Sequence, residues 1–309
     1  MDIAALDALR IVLDTPGQIG IGVALMLVML SVALGLRIDD FAFLLEKRAL
    51  FAGGVFTQVI GLPFITLLLV MLLAPPPSIA LGMFVVACCP GGAASNLMTY
   101  LSRGNVAYSV SLTAVSSLLA AFLTPVSILF WTAMYTPTAD LLASIDFSPL
   151  AFLGQTTVLL AVPLVVGMTI AARAPDVARR IQTRMALAGS LALGGVIVYG
   201  IAQFYPILAP ALPLLASLGI LHNALAFTAG HLAGRLLGAD QGERRALTFE
   251  VGIQNSGLAI VILIGQLQGL GGAAAIAAFW GVWHLVAGGF IVTTLRAVDR
   301  REVPATPSA

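Results

Sequence analysis

Apolar runs long enough to cross a bilayer recur along the chain between short polar segments, and they predict nine helical spans. A hydrocarbon core of roughly 30 Å needs about 20 apolar residues in a helix rising 1.5 Å per residue. Runs of that length lie at 18–36, 50–74, 79–101, 105–134, 150–172, 185–204, 211–237, 246–267 and 273–295. Pro63 and Pro125 fall inside two of them, where each would kink or end its helix. Ahead of the first span, residues 3–13 read as a short helix on the membrane surface, since Asp7, Arg10 and Asp14 would share one face; a frayed polar tail is the alternative. That segment lacks the basic start of a cleavable signal peptide and is read as retained.

Composition narrows the class. The chain is 60% hydrophobic and 9% charged, against roughly a quarter charged in soluble domains, which excludes a water-soluble fold. Nine spans consume the 309 residues, leaving a single transmembrane domain over 1–309 with no soluble domain beside it. A net charge of +1 gives no footprint for nucleic acid, and no obligate protein partner is evident. The neighbouring Cys88 and Cys89 supply neither a disulfide framework nor a spaced metal quartet and read as small core residues.

The basic residues also assign sides. Arg37, Lys47 and Arg48 follow the first span, Arg103 the third, and Arg173, Arg179, Arg180 and Arg184 the fifth. Arg235, Arg244 and Arg245 follow the seventh, and Arg296, Arg300 and Arg301 the ninth. The other connections, at 74–78, 135–148, 205–210 and 268–272, carry no Lys or Arg, and only Arg10 lies on their side. Cytoplasmic loops concentrate Lys and Arg, so the N-terminus is expected outside and the tail at 297–309 inside the cell.

Among the acidic residues, Glu250 alone falls within a span, where a carboxylate costs roughly 2.5–3.5 kcal/mol and so marks a functional site. Val251-Gly252-Ile253-Gln254-Asn255-Ser256-Gly257 follows it directly, with two glycines and three amide or hydroxyl side chains. The third span carries a matching interruption, Pro90-Gly91-Gly92-Ala93-Ala94-Ser95-Asn96. Proline removes a backbone donor and glycine frees the backbone, so both helices are expected to break. Lipid cannot satisfy broken backbone, so such breaks line a buried site. The third and eighth spans are five apart and run in opposite directions, the pattern of a transporter built from inverted repeats whose first repeat lacks its leading helix. Neutral oxygens around one carboxylate suit a hard monovalent cation, with Na+ the physiological candidate and potassium or protons also open. The positive ends of the broken helices would favour an anionic substrate group.

Two strings, CCPGGAASNLMTYLSRGN at 88–105 and EVGIQNSGLA at 250–259, together with Val282-Trp283-His284, closely resemble the sodium/bile acid symporter family. The similarity runs from about Gln18 to Leu295. It implies an all-α polytopic membrane protein of the nine-span form, a bacterial member in the cell (inner) membrane. Core helices would occupy 50–134 and 211–296, with the two broken helices crossing at their centre, and panel helices 17–36 and 150–204. It also implies two Na+ sites. One would comprise Ser95, Asn96, Ser109, Thr113 and Glu250; the other Gln58, Gln254, Glu250 again, and the backbone carbonyls of Val251 and Ile253. Ser109 and Thr113 sit four apart on one helical face. On the substrate side the resemblance points to Asn255, His284 and position 93, where Ala93 stands in place of the frequent Thr; Leu285 likewise replaces a frequent Asn. The implied substrate is a small organic anion such as an amphipathic monocarboxylate, bile acid or pantoate-like compound. His284 reads equally as a substrate contact or as a neutral ring bonded to a backbone carbonyl. His222-Asn223 and His231 read as packing groups.

An enzyme is not expected. Ser256 with His284 lacks a G-x-S context and a third group, and an aspartyl protease would need a second intramembrane carboxylate. Proton-coupled organic-anion transport and a ligand sensor without turnover remain as alternatives.

Overall fold

The structure, a computed structural model, describes residues 7–11, 15–36, 46–145 and 147–302. Its elements, in chain order, are α1 (Thr15–Leu34), α2 (Arg48–Phe56), a π-helical turn π1 (Thr57–Gly61), α3 (Leu62–Leu73), α4 (Pro77–Ala87), α5 (Ala93–Leu101), α6 (Val106–Ala133), α7 (Thr136–Ala143), α8 (Pro149–Arg173), α9 (Pro175–Leu236), α10 (Gln241–Gly252), α11 (Ser256–Gly265) and α12 (Gly271–Glu302). No strand occurs among the described residues, only two isolated antiparallel bridges.

Among the described residues, five helical stretches are long and apolar enough to cross a membrane: Arg48–Leu73, Val106–Ala133, Pro149–Arg173, Ala202–Leu236 and Gly271–Arg300. They coincide with the second, fourth, fifth, seventh and ninth expected spans. Ile19–Leu34, Pro77–Ala87 and Ser256–Gly265 are shorter apolar helices, and the last two are halves of the interrupted segments.

Local chemistry explains most helix starts. Pro77, Pro149 and Pro175 open α4, α8 and α9, where a missing N–H costs nothing because the first turn has no partner for it. Asn105 and Ser148 cap α6 and α8 by accepting from Tyr108 N (3.0 Å) and Ala151 N (3.4 Å). Asp240 and Glu243 form a reciprocal capping box at the start of α10. Pro63 does not end its helix: π1 widens the turn just before it, and such single π turns are frequent at functional sites. Pro125 is likewise carried inside α6.

The structure departs from the sequence expectations in three places. The polar loop expected at 205–210 is helical, because α9 continues from Pro175 to Leu236 with one non-helical residue, Phe204 (φ −110°, ψ 16°). Pro206 falls in the first turn after that kink, where its ring is tolerated. The stretch after α6 contains α7, which begins at Thr136 with Pro137 in its first turn. At the N-terminus, residues 3–6 and 12–14 of the expected surface helix, Asp14 included, lie outside the described residues. Asp7 and Ala8 are helical, but Arg10 pairs as an antiparallel bridge with Leu270. Ile11 N donates to Gly269 O (2.7 Å) and Gly271 N to Leu9 O (2.8 Å).

α1 packs against α8 and α9, while α12 packs against α4, α11 and α9. α9 and α10 approach so closely that a side chain at Gly230 would collide with the backbone of Leu247. Residues 7–11, the 268–271 loop and the start of α4 gather at one end of the bundle. The ion pairs of Lys47 with Glu243 and of Arg245 with Asp299 gather at the other. The Lys47 ammonium is pushed above its ordinary value, first by its hydrogen bond to Glu243.

Asp7 supplies a cap that α4 cannot supply for itself. Pro76 at the N-cap offers no side-chain acceptor, and Asp7 Oδ1 accepts from Ser78 N at 2.9 Å. Asp7→Ala is expected to cost about 1 kcal/mol, the usual worth of a helix cap, measured as a lower unfolding temperature of the purified protein. An unchanged temperature would show that the contact contributes nothing.

Candidate functional site

Both interrupted segments break where glycine and proline make helix hardest to continue. α4 ends before Cys88 and α5 begins at Ala93; α10 ends at Gly252 and α11 begins at Ser256, with Ile253 extended between them (φ −125°, ψ 98°). In a bilayer interior each freed N–H and C=O would cost several kcal/mol if left unpaired. The two breaks satisfy each other. Gly91 and Gln254 form an antiparallel bridge, with Gly92 N donating to Ile253 O (3.3 Å) and Asn255 N to Pro90 O (2.8 Å). Side chains take the remaining carbonyls at the end of α10. Gln58 Nε2 donates to Glu250 O (3.3 Å), Gln254 Nε2 to Val251 O (2.8 Å) and Asn223 Nδ2 to Gly252 O (2.8 Å). Asn255 Oδ1 caps α11 by accepting from Leu258 N at 3.0 Å.

Glu250 lies directly behind this crossing, wholly buried. Its Oε1 accepts three hydroxyl hydrogen bonds, from Ser95 Oγ, Ser109 Oγ (2.8 Å) and Thr113 Oγ1 (2.7 Å). Asn96 Oδ1 stands 3.3 Å from Thr113 Oγ1. Ser95, Asn96, Ser109, Thr113 and Glu250 thus converge from α5, α6 and α10. On the other side of the carboxylate, Glu250 Oε2, Gln58 Oε1 and Gln254 Oε1 are buried oxygens with no hydrogen-bond partner among the described residues. The carbonyls of Val251 and Ile253 each hold one hydrogen bond and keep a second lone pair. Gly91 makes room for this cluster: a Cβ there would sit 2.5 Å from Glu250 Oε2 and 3.0 Å from Gln58 Nε2.

The charge balance of this cluster decides its chemistry. Ion pairs among the described residues join Lys47 to Asp240 and Glu243, Arg179 to Asp176, and Arg245 to Asp299; none includes Glu250. A buried carboxylate without a counter-charge is strongly disfavoured. The surrounding oxygens are those a hard monovalent cation takes, and the described residues hold no cluster of His, Cys, Asp and Glu suited to a transition metal.

Across the crossing from Glu250 lies a cavity of about 390 Å³, of the size small-molecule sites occupy. Val28 and Ser31 of α1 and Ser190 and Leu193 of α9 form one wall; the breaks and α12 form the other. Ala93, Asn255 and His284 all line it, as does Leu285, so the three residues picked for the substrate side share one chamber. Among the described residues no Lys or Arg lines it. The first residues of α5 and α11 do, and helix N-termini carry partial positive charge that favours anions. His284 Nδ1 lies 3.4 Å from Ser256 Oγ.

Other polar residues serve packing. His222 Nε2 meets Thr66 Oγ1 at 2.7 Å and its ring lies edge-on to Trp280 (centroids 4.6 Å apart). Cys88 and Cys89 are buried thiols. Asn223, read from the sequence as packing, instead holds a carbonyl of the break. The signal available for it was an amide in the middle of an apolar span, which needs a partner wherever it is placed.

Comparison with known proteins follows the same lines. The profile of the sodium bile acid symporter family matches residues 22–221. The chain is similar to the sodium-dependent transporter YocS of Bacillus subtilis, 31% identical over 270 residues covering 86% of this chain and 80% of that protein. It is similar to the human ileal sodium/bile acid cotransporter, 28% identical, covering 78% of this chain and 68% of that one. A chloroplastic protein of rice named as a probable sodium/metabolite cotransporter is 32% identical over 76% of this chain, which spans 55% of that longer protein.

The crowding at Gly91 gives a sharp test. Gly91→Ala must push Glu250 or Gln58 aside, and such overpacking costs about 1–3 kcal/mol. At Gly92 the nearest atom to an added Cβ is 3.7 Å away, so Gly92→Ala is expected to be far milder. Unfolding temperatures of the two variants should differ accordingly, and equal losses would mean that the carboxylate cluster is not tightly packed around Gly91.

Proposed function

The chain belongs to the sodium bile acid symporter family, and on that premise we propose that it couples inward movement of two sodium ions to uptake of one organic anion across the cell membrane. The observation that carries this reading is Glu250. One carboxylate oxygen is saturated by three hydroxyls, while the other, like the amide oxygens of Gln58 and Gln254, is buried and accepts nothing among the described residues. Ser95, Asn96, Ser109 and Thr113 hold one sodium ion with Glu250. Gln58, Gln254, Glu250 and the carbonyls of Val251 and Ile253 hold the second. The fit of the second set rests on the unpaired oxygens of Glu250, Gln58 and Gln254.

Coupling follows from the placement of these groups. The ion ligands lie behind the crossed breaks and the substrate chamber in front, with the same short backbone segments between them. Sodium bound to Glu250, Val251 and Ile253 holds the break in the conformation that presents the N-termini of α5 and α11 to the chamber. An anionic group there is stabilised by those N-termini, Asn255 and His284, while the apolar walls take the rest of an amphipathic monocarboxylate, a bile acid or a pantoate-like compound. Ala93 and Leu285 leave the chamber less polar than Thr and Asn would. Reciprocal coupling of this kind typically amounts to about 1–3 kcal/mol.

The reading includes nine spans. The interrupted pairs α4–α5 and α10–α11 and the first part of α9 join α1 and the five long helices as crossings, and the two interrupted pairs occupy equivalent places in an inverted repeat. α1, α8 and the first part of α9, which pack together, form the panel; the remaining helices form the core. The basic ends then face the cytoplasm. A tag after Ala309 is expected to be reachable from the cytoplasm alone, and one before Met1 from outside alone. Both tags on one side would refute the nine-span arrangement.

Glu250→Gln removes the one full negative charge shared by both ion sites. It is expected to abolish sodium-stimulated uptake in proteoliposomes while leaving the protein folded in the membrane. Ser109→Ala leaves Glu250 Oε1 two hydroxyl donors and should weaken apparent sodium affinity without abolishing uptake. Two cations with one monoanion carry one net charge, worth about 2.3 kcal/mol per 100 mV, so uptake should quicken with an inside-negative potential. Sodium-stimulated uptake that survives Glu250→Gln would sink the two-ion reading. Uptake driven by a pH gradient without sodium would make Glu250 a proton carrier, and absence of substrate counterflow would leave a sensor.

A further inference from the structure

One face of α6 carries more polarity than the ion cluster uses. Ser109, Thr113, Ser116, Ala120, Thr124 and Ser127 fall within an arc of about 80° at 3.6 residues per turn, forming a single stripe about 27 Å long. Its first two members bind Glu250. The hydroxyls beyond them do not, and each donates to a fixed acceptor: Ser116 to Thr113 O (3.2 Å), Thr124 to Cys88 O (2.9 Å) and Ser127 to Cys88 Sγ (3.3 Å). With its proton so engaged, each hydroxyl has only lone pairs left to present.

A second observation comes from the other wall. Ser116, Thr124, Ser127 and Cys88 line one side of a small void with Gln58, and Val59, Pro90, Leu119, Ala120 and Leu123 supply its apolar remainder. Gln58 is only 2% exposed, and its Oε1 accepts no hydrogen bond among the described residues. The void measures about 10 Å³, which admits about one water molecule, or a small ion of similar size. Lone pairs without free protons in a space for one particle suit a partly dehydrated cation and repel an anion.

We propose that this stripe is the access route for the coupling cation, running from the end of α6 near Ala133 down to Gln58 and Glu250, separate from the substrate chamber across the crossed breaks. It rests on the sodium-coupled reading above. Trp131, next on the stripe, is largely buried, packing against Phe64 (6.3 Å) and Phe130 (5.0 Å), and closes the outer end in this conformation. Sodium therefore reaches its sites without crossing the substrate chamber, and the ions can load whether or not the anion is in place.

Cys88 is a native reporter on this route, because Ag+ approximates a small monovalent cation and bonds thiol sulfur in place of its proton, which is released to buffer. In chloride-free buffer, Ag+ is expected to block sodium-driven uptake by the Cys89→Ala variant, each rate being taken relative to the same untreated protein. Saturating sodium should slow the block, and Ala120→Leu, which narrows the void, should slow it about tenfold, a barrier change of about 1.4 kcal/mol. Should Ala120→Leu fail to fold, Thr124→Cys in a cysteine-free background is a second reporter at the next position. A block equal in the Cys88→Ala/Cys89→Ala variant, one that sodium does not slow, or no block at all would overturn the route. If untreated protein shows no sodium-driven uptake, the transport reading fails instead; sodium-driven uptake with Cys88 out of reach removes the route alone.

Discussion

Two broken helices in an apolar interior can persist only if each pairs the polar backbone the other exposes. The antiparallel contact of Gly91 with Gln254 does this with two hydrogen bonds, Gly92 N to Ile253 O and Asn255 N to Pro90 O. Everything else at the centre of the protein follows from that contact. It forces the segments to cross, turns the ends of α4 and α10 and the starts of α5 and α11 toward one another, and leaves carbonyls for Gln58, Gln254 and Asn223 to hold. Because these bonds are few and short-range, small rearrangements of the break move helix termini on both sides of it.

Placing Glu250 at that crossing makes the site dependent on charge. Three hydroxyls soften the burial of its carboxylate but do not neutralise it, since neutral donors stabilise a negative charge without supplying a positive one. Among the described residues no cation pairs with this carboxylate, and on the proposed reading a mobile cation completes the cluster. A fixed arginine or lysine in that place would pair the carboxylate permanently. The pairs of Lys47 with Glu243 and of Arg245 with Asp299 are structural clamps at one end of the bundle. Arg245 also donates to Ser102 O (2.5 Å) and Arg296 Nε to Leu101 O (2.7 Å), so the ends of α5, α10 and α12 are tied together.

The substrate chamber differs in kind. Its walls are mainly alanine, glycine and branched aliphatic residues, with polarity limited to serines, the Gln254–Asn255–Ser256 stretch and His284. It offers an anion partial charges at two helix N-termini in place of a full positive charge.

Much of this was determined by sequence alone. Membrane class follows from 60% hydrophobic and 9% charged residues, because no arrangement of that surface is stable in water. Proline and paired glycines at 90–92, and Gly252 within a polar run, dictate where helices break, because backbone preference is local. Glu250 stands out for the same kind of reason, as a charge in an apolar run. Gln58, Ser109 and Thr113 carry no such local signal, and only the family resemblance drew attention to them. The tertiary structure decided what each polar group faces: that Gln58 reaches a carbonyl 192 residues away, that Asn223 holds the break, and that Arg10 pairs with Leu270. It also made one kinked helix of the region around Phe204, where a connection between two spans had been expected at 205–210. Periodicity and composition report how a segment meets its immediate solvent, whereas a hydrogen bond between distant segments depends on packing that no local pattern encodes.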